Sequence, residues 1–509
     1  MPENEKPLPQ SAPAEIYVDK QIYFGITSAV GTPIDLTAHV LQEQLSGRGF
    51  RFQDLRLSRL SELLSLPTAK PSLGSEEYRN VKYLMQRGDD ARSSSGNNAI
   101  LAMLAIREAA QQREEEGSSA SPIAFLFRQL KHPDEAYKLR QVYDEGFHLV
   151  GVHCPRSTRI QQLQVQKGMS AAEANELVNT DEFEGPTHGQ RVRDTFHLAD
   201  VFVRATGDSN DTTAVRTQLS RFAGLLFGDE FHTPTIDEYG MFLAWASGLR
   251  SAQMSRQVGA AILTVDGEVL GLGANEVPRA GGGQYWDGAS PDGRDHKTPR
   301  GDSTDYMKDA ILREILDVID PRWKEREATV RDQEVRDLRE RLDSARIMNL
   351  TEFTRATHAE MEAILSASRV GLSVKGATLY TTTFPCHNCT KHILTAGIHR
   401  VVYIEPYPKS LAYELHKDAI AIDGSSTEAG AIDKLINFEP FVGIAPRRYA
   451  DLFAMMTKDG RHLRRKDSAG MPEPRVGLRL RLQVGSYETR ENLVAKEVVN
   501  ITSRPEAEA

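Results

Sequence analysis

The chain has 509 residues, of which 40% are hydrophobic and 26% charged, and its formal net charge is −9. The length points to two or three domains, and the composition is that of a soluble globular protein rather than a disordered or fibrous one. The acidic balance argues against a broad polyanion-binding surface. Three cysteines exclude a disulfide framework and fit a reducing cytoplasm. No run approaches the ~18 apolar residues of a membrane span, and the polar, proline-rich start lacks the apolar core of a secretory signal, so no membrane partner is expected.

Residues 1–15 read as a disordered tail. IYFGI at 22–26 reads as a buried strand, SAVGTP at 28–33 as a tight loop, and LTAHVLQEQL at 36–45 as a helix. Strand, glycine loop, helix is the context of a phosphate-binding loop, but five residues separate Gly25 from Gly31, and Thr32 and Pro33 stand where that motif has its lysine and its Ser or Thr. Two readings stay open: a loop that binds a nucleotide without efficient hydrolysis, or a glycine turn in an α/β scaffold. Helices at 78–92 and 97–110, a strand at 123–130, a helix at 132–143 and a strand at 147–155 continue the alternation, and the helical stretch 159–178 and DTFHLADVFVRA at 194–205 follow. This alternation predicts a mostly parallel sheet.

A second unit is expected from residue 226. Its opening helix, 236–253, precedes two strands, VGAAILTV and EVLGLGAN, joined at Asp266-Gly267, a strong hairpin signal. Asn275 follows the second strand, where a turn role competes with a functional one. Residues 279–350 interrupt the unit with a glycine-rich stretch and charged helical segments, an insertion suited to a lid or to oligomer contacts. His296 within it reads as a surface histidine, with a metal or phosphate contact as the competing reading.

The next stretch carries chemistry. THAEMEAIL at 357–365 and TLYTTTFPCHNC at 378–389 supply His358, Cys386 and Cys389, three ligands of the kind zinc accepts. Three protein ligands leave a fourth position for water, as a catalytic site requires. Glu360 lies two residues after the histidine, and Pro385 precedes the first cysteine. This is the H-x-E…P-C-x-x-C arrangement of zinc-dependent deaminases, with Glu360 as the non-ligand proton shuttle. The competing reading is a closed zinc knuckle, and no fourth Cys or His stands at knuckle spacing. Apolar spacing after Glu360 and after Cys389 predicts a helix starting at each half of the motif, so that two helix N-termini converge on the metal. Downstream, seven basic residues (Arg447, Arg448, Lys458, Arg461, Arg464, Arg465, Lys466) face two acidic ones, Asp451 and Asp459. Such a patch suits a triphosphate or a nucleic acid, or is a solvated surface. VGLRLRLQV at 476–484 alternates as a strand does.

HAEMEAIL, LYTTTFPCHNCTKHILTAGIHRVVYIEPYPKS and SRQVGAAIL…GLGANEVP together resemble the deoxycytidylate deaminase family. With a P-loop-like segment placed ahead of them, they are similar to the bacterial anti-phage dCTP/dCMP deaminases. The resemblance implies an α/β protein in two parts: a P-loop, nucleotide-kinase-like parallel sheet domain over 16–225, and a cytidine-deaminase-like α/β/α domain over 226–445, with a basic extension over 446–509. It implies hydrolysis of cyclic amidine C–N bonds, converting dCTP and dCMP to dUTP and dUMP, which depletes deoxycytidine nucleotides during phage infection. It implies one zinc per chain on His358, Cys386 and Cys389, proton transfer by Glu360, and deoxyribose contact by Asn275, with Ser255 and Arg256 beside the substrate-facing strand. Gly25, Ser28, Gly31 and Thr32 would line a nucleotide site in the first domain. A homo-oligomer and a regulatory small RNA are the implied macromolecular partners. The alternatives are a housekeeping dCMP deaminase for dUMP supply, a polynucleotide cytidine deaminase, and a nucleotide-regulated binding protein or kinase with a dead deaminase attached.

Overall fold

The computed structural model describes the chain except for residues 1–20, 117–121, 183–188, 208–210, 230, 299–302, 344, 351, 407–409, 424–434, 457–459, 461, 467, 472–485 and 503–509. It divides into two compact units, residues 1–233 with 442–509, and residues 234–441. The cuts fall at 233/234 and 441/442, where 225/226 and 445/446 were expected, and the residues from 442 onward join the first unit.

The first unit is built on β1 (Gln21–Ser28), β2 (Arg51–Arg56), β3 (Ile123–Arg128), β4 (Phe147–His153) and β5 (Val201–Arg204). These strands pair in parallel in the order 5-4-1-3-2. β1, β3 and β4 are buried almost throughout and read as continuous apolar runs, as parallel strands covered on both faces do. Strand alternation sorts β1 into two faces. Ile22, Phe24 and Ile26 enter a core with Val40, Leu41 and Phe222. Tyr23 faces the other way and stacks on Tyr143, with ring centroids 3.6 Å apart.

The C-terminal residues join this unit for two physical reasons. The short strand Gly443–Ile444 pairs antiparallel with β5. The helix Ser486–Thr502 covers the Tyr23 face: its buried Glu491 accepts two hydrogen bonds from Arg113, at 2.9 and 2.6 Å, and one from Tyr143 Oη at 2.9 Å. Arg447 and Arg448, expected as part of an open basic patch, are ion-paired with the buried Asp200 at 3.1 Å each. Lys458, Arg461 and the expected strand at 476–484 lie outside the described residues.

In the second unit, β6 (Gly259–Leu263), β7 (Val269–Ala274), β8 (Thr378–Thr383), β9 (Arg400–Glu405), β10 (Ile420–Ile422) and β11 (Ile436–Pro440) form a mixed sheet in the order 10-11-9-8-6-7. β6 runs antiparallel to β7 and β8, which completes the expected hairpin, and the remaining pairs are parallel. The helix Ile236–Gly248 begins with a capping box, Thr235 and Glu238 bonding each other's backbone N–H. It stops five residues short of the expected 253 because the backbone there finds other partners: Ala252 N donates to Glu276 at 2.8 Å and Gln253 N to Ser251 Oγ at 3.3 Å. The insertion holds helices Ser303–Ile319 and Ala328–Arg341 around a small core of Leu312, Trp323 and Val335, and His296 is exposed.

Candidate metal centre

Two helix starts carry the cysteines and the histidine. His358 is the N-cap of helix Ala359–Arg369, and Cys386 is the N-cap of helix His387–Ala396. The first helix lies directly on β7. A Cβ on Gly273 would stand 2.0 Å from the Ala359 carbonyl oxygen, so only glycine admits so close an approach. The bridge between Glu276 and Thr357 then sets the residue before His358 beside the end of β7. On the other side, Thr390 donates through both N (2.9 Å) and Oγ1 (3.0 Å) to the Cys386 carbonyl, which fixes the turn that presents the two thiols.

The three candidate ligand atoms lie within 4.8 Å of one another. His358 Nδ1 is 3.4 Å from Cys386 Sγ and 3.3 Å from Cys389 Sγ. Nitrogen and sulfur donors on one tetrahedral zinc would lie about 3.5 Å apart, given Zn–N and Zn–S distances of about 2.0–2.3 Å. The donor set and its spacing therefore fit zinc. Both cysteines are buried, and both helix N-termini favour negative charge there. Hydrogen bonding from Cys389 and then from His358 draws the Cys386 thiol down to about 4, against the opposing effect of burial. Burial drives Cys389 well up, and a coordinated metal would deprotonate it outright.

Glu360 is 4% exposed and its Oε2 accepts from Cys389 Sγ at 3.4 Å. Burial first, and the adjacent Cys386 second, raise its carboxyl above the ordinary range. It stands against the three candidate ligands without being one of them.

The structure groups Asn275 and Arg256 at one corner, ahead of β6. Asn275 is partly buried, and both ends of its side chain hold the segment before β6: Oδ1 accepts from Val258 N at 2.7 Å and Nδ2 donates to the Arg256 carbonyl at 2.8 Å. Arg256 is exposed and pairs with Glu405 at 3.0 Å, and Ser255 is exposed. Glu276, which sequence reasoning passed over, is wholly buried and accepts from the backbone of Ala252 and Val277 at 2.8 Å each, fixing the same corner. An acidic residue between Asn275 and Val277 gave no periodicity to read.

In the first unit, Ser28, Gly31 and Thr32 line a cavity, and Gly31 takes the left-handed backbone that glycine favours (φ +82°). Gly25 does not join them. It lies inside β1, where a Cβ would meet the Phe147 ring at 2.8 Å, so its role is packing. The cavity also draws in Lys131, Gln162, Asp181 and Gln190, which no local motif marked.

Residues 234–405 match the family model described as the cytidine and deoxycytidylate deaminase zinc-binding region. The deoxycytidylate deaminase of Enterobacteria phage T2 is 51% identical over 53 residues, 10% of this chain and 28% of that one. The deoxycytidylate deaminase of Mus musculus is 26% identical over 167 residues, 33% of this chain and 63% of that one. The chain thus spans between about a quarter and just under two thirds of the length of these two curated relatives. The solved structure of the dCMP deaminase from the cyanophage S-TIM5, in complex with dCMP and dUMP, is 17% identical, covers 41% of this chain and 98% of its own, and has a TM-score of 0.23. No helix among the described residues is long and apolar enough to cross a membrane. Over residues 234–405, this chain therefore carries a zinc-binding region of the cytidine and deoxycytidylate deaminase kind, with His358, Cys386 and Cys389 as the residues that could hold the zinc.

Proposed function

We propose that the second unit deaminates free deoxycytidine nucleotides by hydrolysis, taking dCMP and dCTP to dUMP and dUTP, and that the resulting loss of deoxycytidine nucleotides serves anti-phage defence. The observation that carries the reaction is Glu360, a buried carboxylate against a cluster of three candidate ligands, His358, Cys386 and Cys389, and three protein ligands on a zinc would leave a fourth position for water. The match of this region to cytidine and deoxycytidylate deaminases supports the substrate class. Zinc held there would supply a water acidic enough to ionise near neutral pH. Glu360 is placed to take one proton of the attacking water to the ring nitrogen N3 and to carry the second proton of that water to the departing amine. A C–O bond forms at C4, the C4–N bond breaks, and ammonia leaves. His358, Cys386 and Cys389 would hold the metal, and the paired helix N-termini would favour the negative charge gathered there.

The test is ammonia release from dCMP, dCTP, CTP, dATP and single-stranded DNA, for the wild-type chain and Glu360→Ala at equal zinc content. Release from dCMP or dCTP that falls by at least about 10²-fold in the variant is the expected result, the loss typical of a missing acid–base group. Comparable turnover of single-stranded DNA would move the chain to the polynucleotide deaminases, and no release from either deoxynucleotide would refute the reading.

A further inference from the structure

The cavity of the first unit opens at the carboxyl ends of β1, β2 and β3 and has a volume of about 290 Å³, at the low end for a small-ligand site. A phosphate-binding loop holds its ligand with backbone N–H groups and a lysine. Here both kinds of donor are already engaged by the chain's own carboxylate. Val30 N donates to Asp181 Oδ2 at 2.7 Å, and Lys131 Nζ donates to Asp181 Oδ1 at 3.0 Å and to the Ser28 carbonyl at 2.9 Å. Asp181 is 3% exposed. The other cations lining the cavity are matched as well. Arg92 pairs with Asp89 and Glu135, and Arg128 with Asp35 and Asp54. Arg56 lies 3.8 Å from Asp35, and Lys167 3.6 Å from Glu77. Each of these cations already has a carboxylate to neutralise it, which lowers the gain from an incoming phosphate.

What the cavity leaves unmet is the opposite need. Thr32 Oγ1, Gln162 Oε1 and Gln190 Oε1 line it, are buried, and have no hydrogen-bond partner among the described residues. Gln190 is 9% exposed. The amide of Gln162 is oriented by its own Nε2, which donates to the Thr206 carbonyl at 3.3 Å, so its oxygen is the free end. A buried acceptor without a donor costs about 1–3 kcal/mol, and native interiors carry few of them. Leu84, Met85 and Leu163 supply an apolar wall to the same space.

We propose that this cavity binds an uncharged nucleoside bearing an exocyclic amine, and that Asp181 occupies the loop in place of a phosphate. The base lies against the apolar wall, and its amine and the sugar hydroxyls donate to Gln190, Gln162 and Thr32. This combination of flat apolar body, several N–H and O–H donors and no charge matches the unmet groups. The site stands apart from the deaminase reading and does not depend on it.

The test is calorimetric titration of the full chain with adenosine, cytidine and deoxyguanosine, each beside its triphosphate. At least one nucleoside is expected to bind at least about ten times more tightly than its triphosphate. Gln190→Leu, and independently Thr32→Val, should weaken that nucleoside about ten-fold, the loss of one hydrogen bond to a buried group. Far-UV circular dichroism and the thermal unfolding of the first unit should be unchanged in both and serve as the check on folding. Asp181→Asn should narrow or reverse the preference by freeing Lys131 and the loop N–H for phosphate. A wild-type chain that prefers the triphosphate, zinc-replete protein that binds none of the three nucleosides, or nucleoside binding that both substitutions leave intact would overturn the proposal.

Discussion

Replacing Gly273 by alanine tests whether the metal centre is set by the contact between strand β7 and helix Ala359–Arg369. The new Cβ would stand 2.0 Å from the Ala359 carbonyl oxygen and 2.5 Å from Ala363 N, where ordinary contact begins at 3.4 Å. Both neighbours are helix backbone, so no side-chain rotation relieves the clash. The helix must retreat by about 1.4 Å, or the strand must bow by the same amount. Retreat opens the interface at Ala359, Ala363 and Ala367, each fully buried. Forcing a methyl into a packed interior costs about 1–3 kcal/mol, and a clash with backbone belongs at the upper end. For a unit of this size, about 3 kcal/mol lowers Tm by roughly 6–12 °C. The same movement carries the N-cap His358 away from Cys386 and Cys389, and disturbing the support of a metal ligand typically weakens metal affinity about 10–100-fold. Differential scanning calorimetry with a competitive zinc-chelator titration reads both effects. A variant whose transition moves by less than about 2 °C and whose zinc affinity is unchanged would refute the close-approach argument.

Other expectations follow from single sites. Cys386→Ala removes one of three ligands and should abolish zinc retention, whereas Glu360→Ala should bind zinc normally and lose only turnover, so metal analysis separates the two. Asp200 is wholly buried. Burial opposes its charge, yet Arg448, Arg140 and Arg447 outweigh burial and hold the carboxyl at about 2, below the ordinary 3.8. A carboxyl depressed by folding stabilises the protein above its unfolded value and loses that contribution as pH falls through the folded one. The first unit should therefore lose stability from roughly pH 4 towards pH 2, and Asp200→Asn should flatten that part of the acid-unfolding curve while costing about 3–5 kcal/mol near neutrality. Glu491→Ala leaves the Arg113 guanidinium without its carboxylate and should free the Ser486–Thr502 helix, read as faster hydrogen exchange across 486–502 with the sheet still protected. Exchange unchanged there would mean that packing alone, such as that of Tyr487 and Val498, holds the helix.

The parts of this protein that were legible in its sequence are those where chemistry or periodicity is local. Zinc ligation demands particular atoms, so His358, Cys386 and Cys389 could be chosen by type and spacing, and Glu360 by its place two residues on. The runs IYFGI, IAFLFRQL and FHLVGVHCP announced themselves because a parallel strand buried on both faces has no polar alternation to hide it. Tertiary structure decided whatever depends on partners distant in the chain. Helix Ile236–Gly248 ends early because Glu276 captures the backbone beyond it. Gly25 became a packing residue because Phe147, across the sheet on β4, fills the space where a side chain would stand. Arg447 and Arg448 were absorbed by Asp200, more than two hundred residues upstream, and the C-terminal helix returned to the first unit through Glu491. Asp181 reached the glycine loop from a helix about 150 residues away. Charge and hydrogen-bond demand were present in the sequence from the start, but which groups satisfy which is settled only when folding brings distant segments within about 3 Å, the range over which such bonds act.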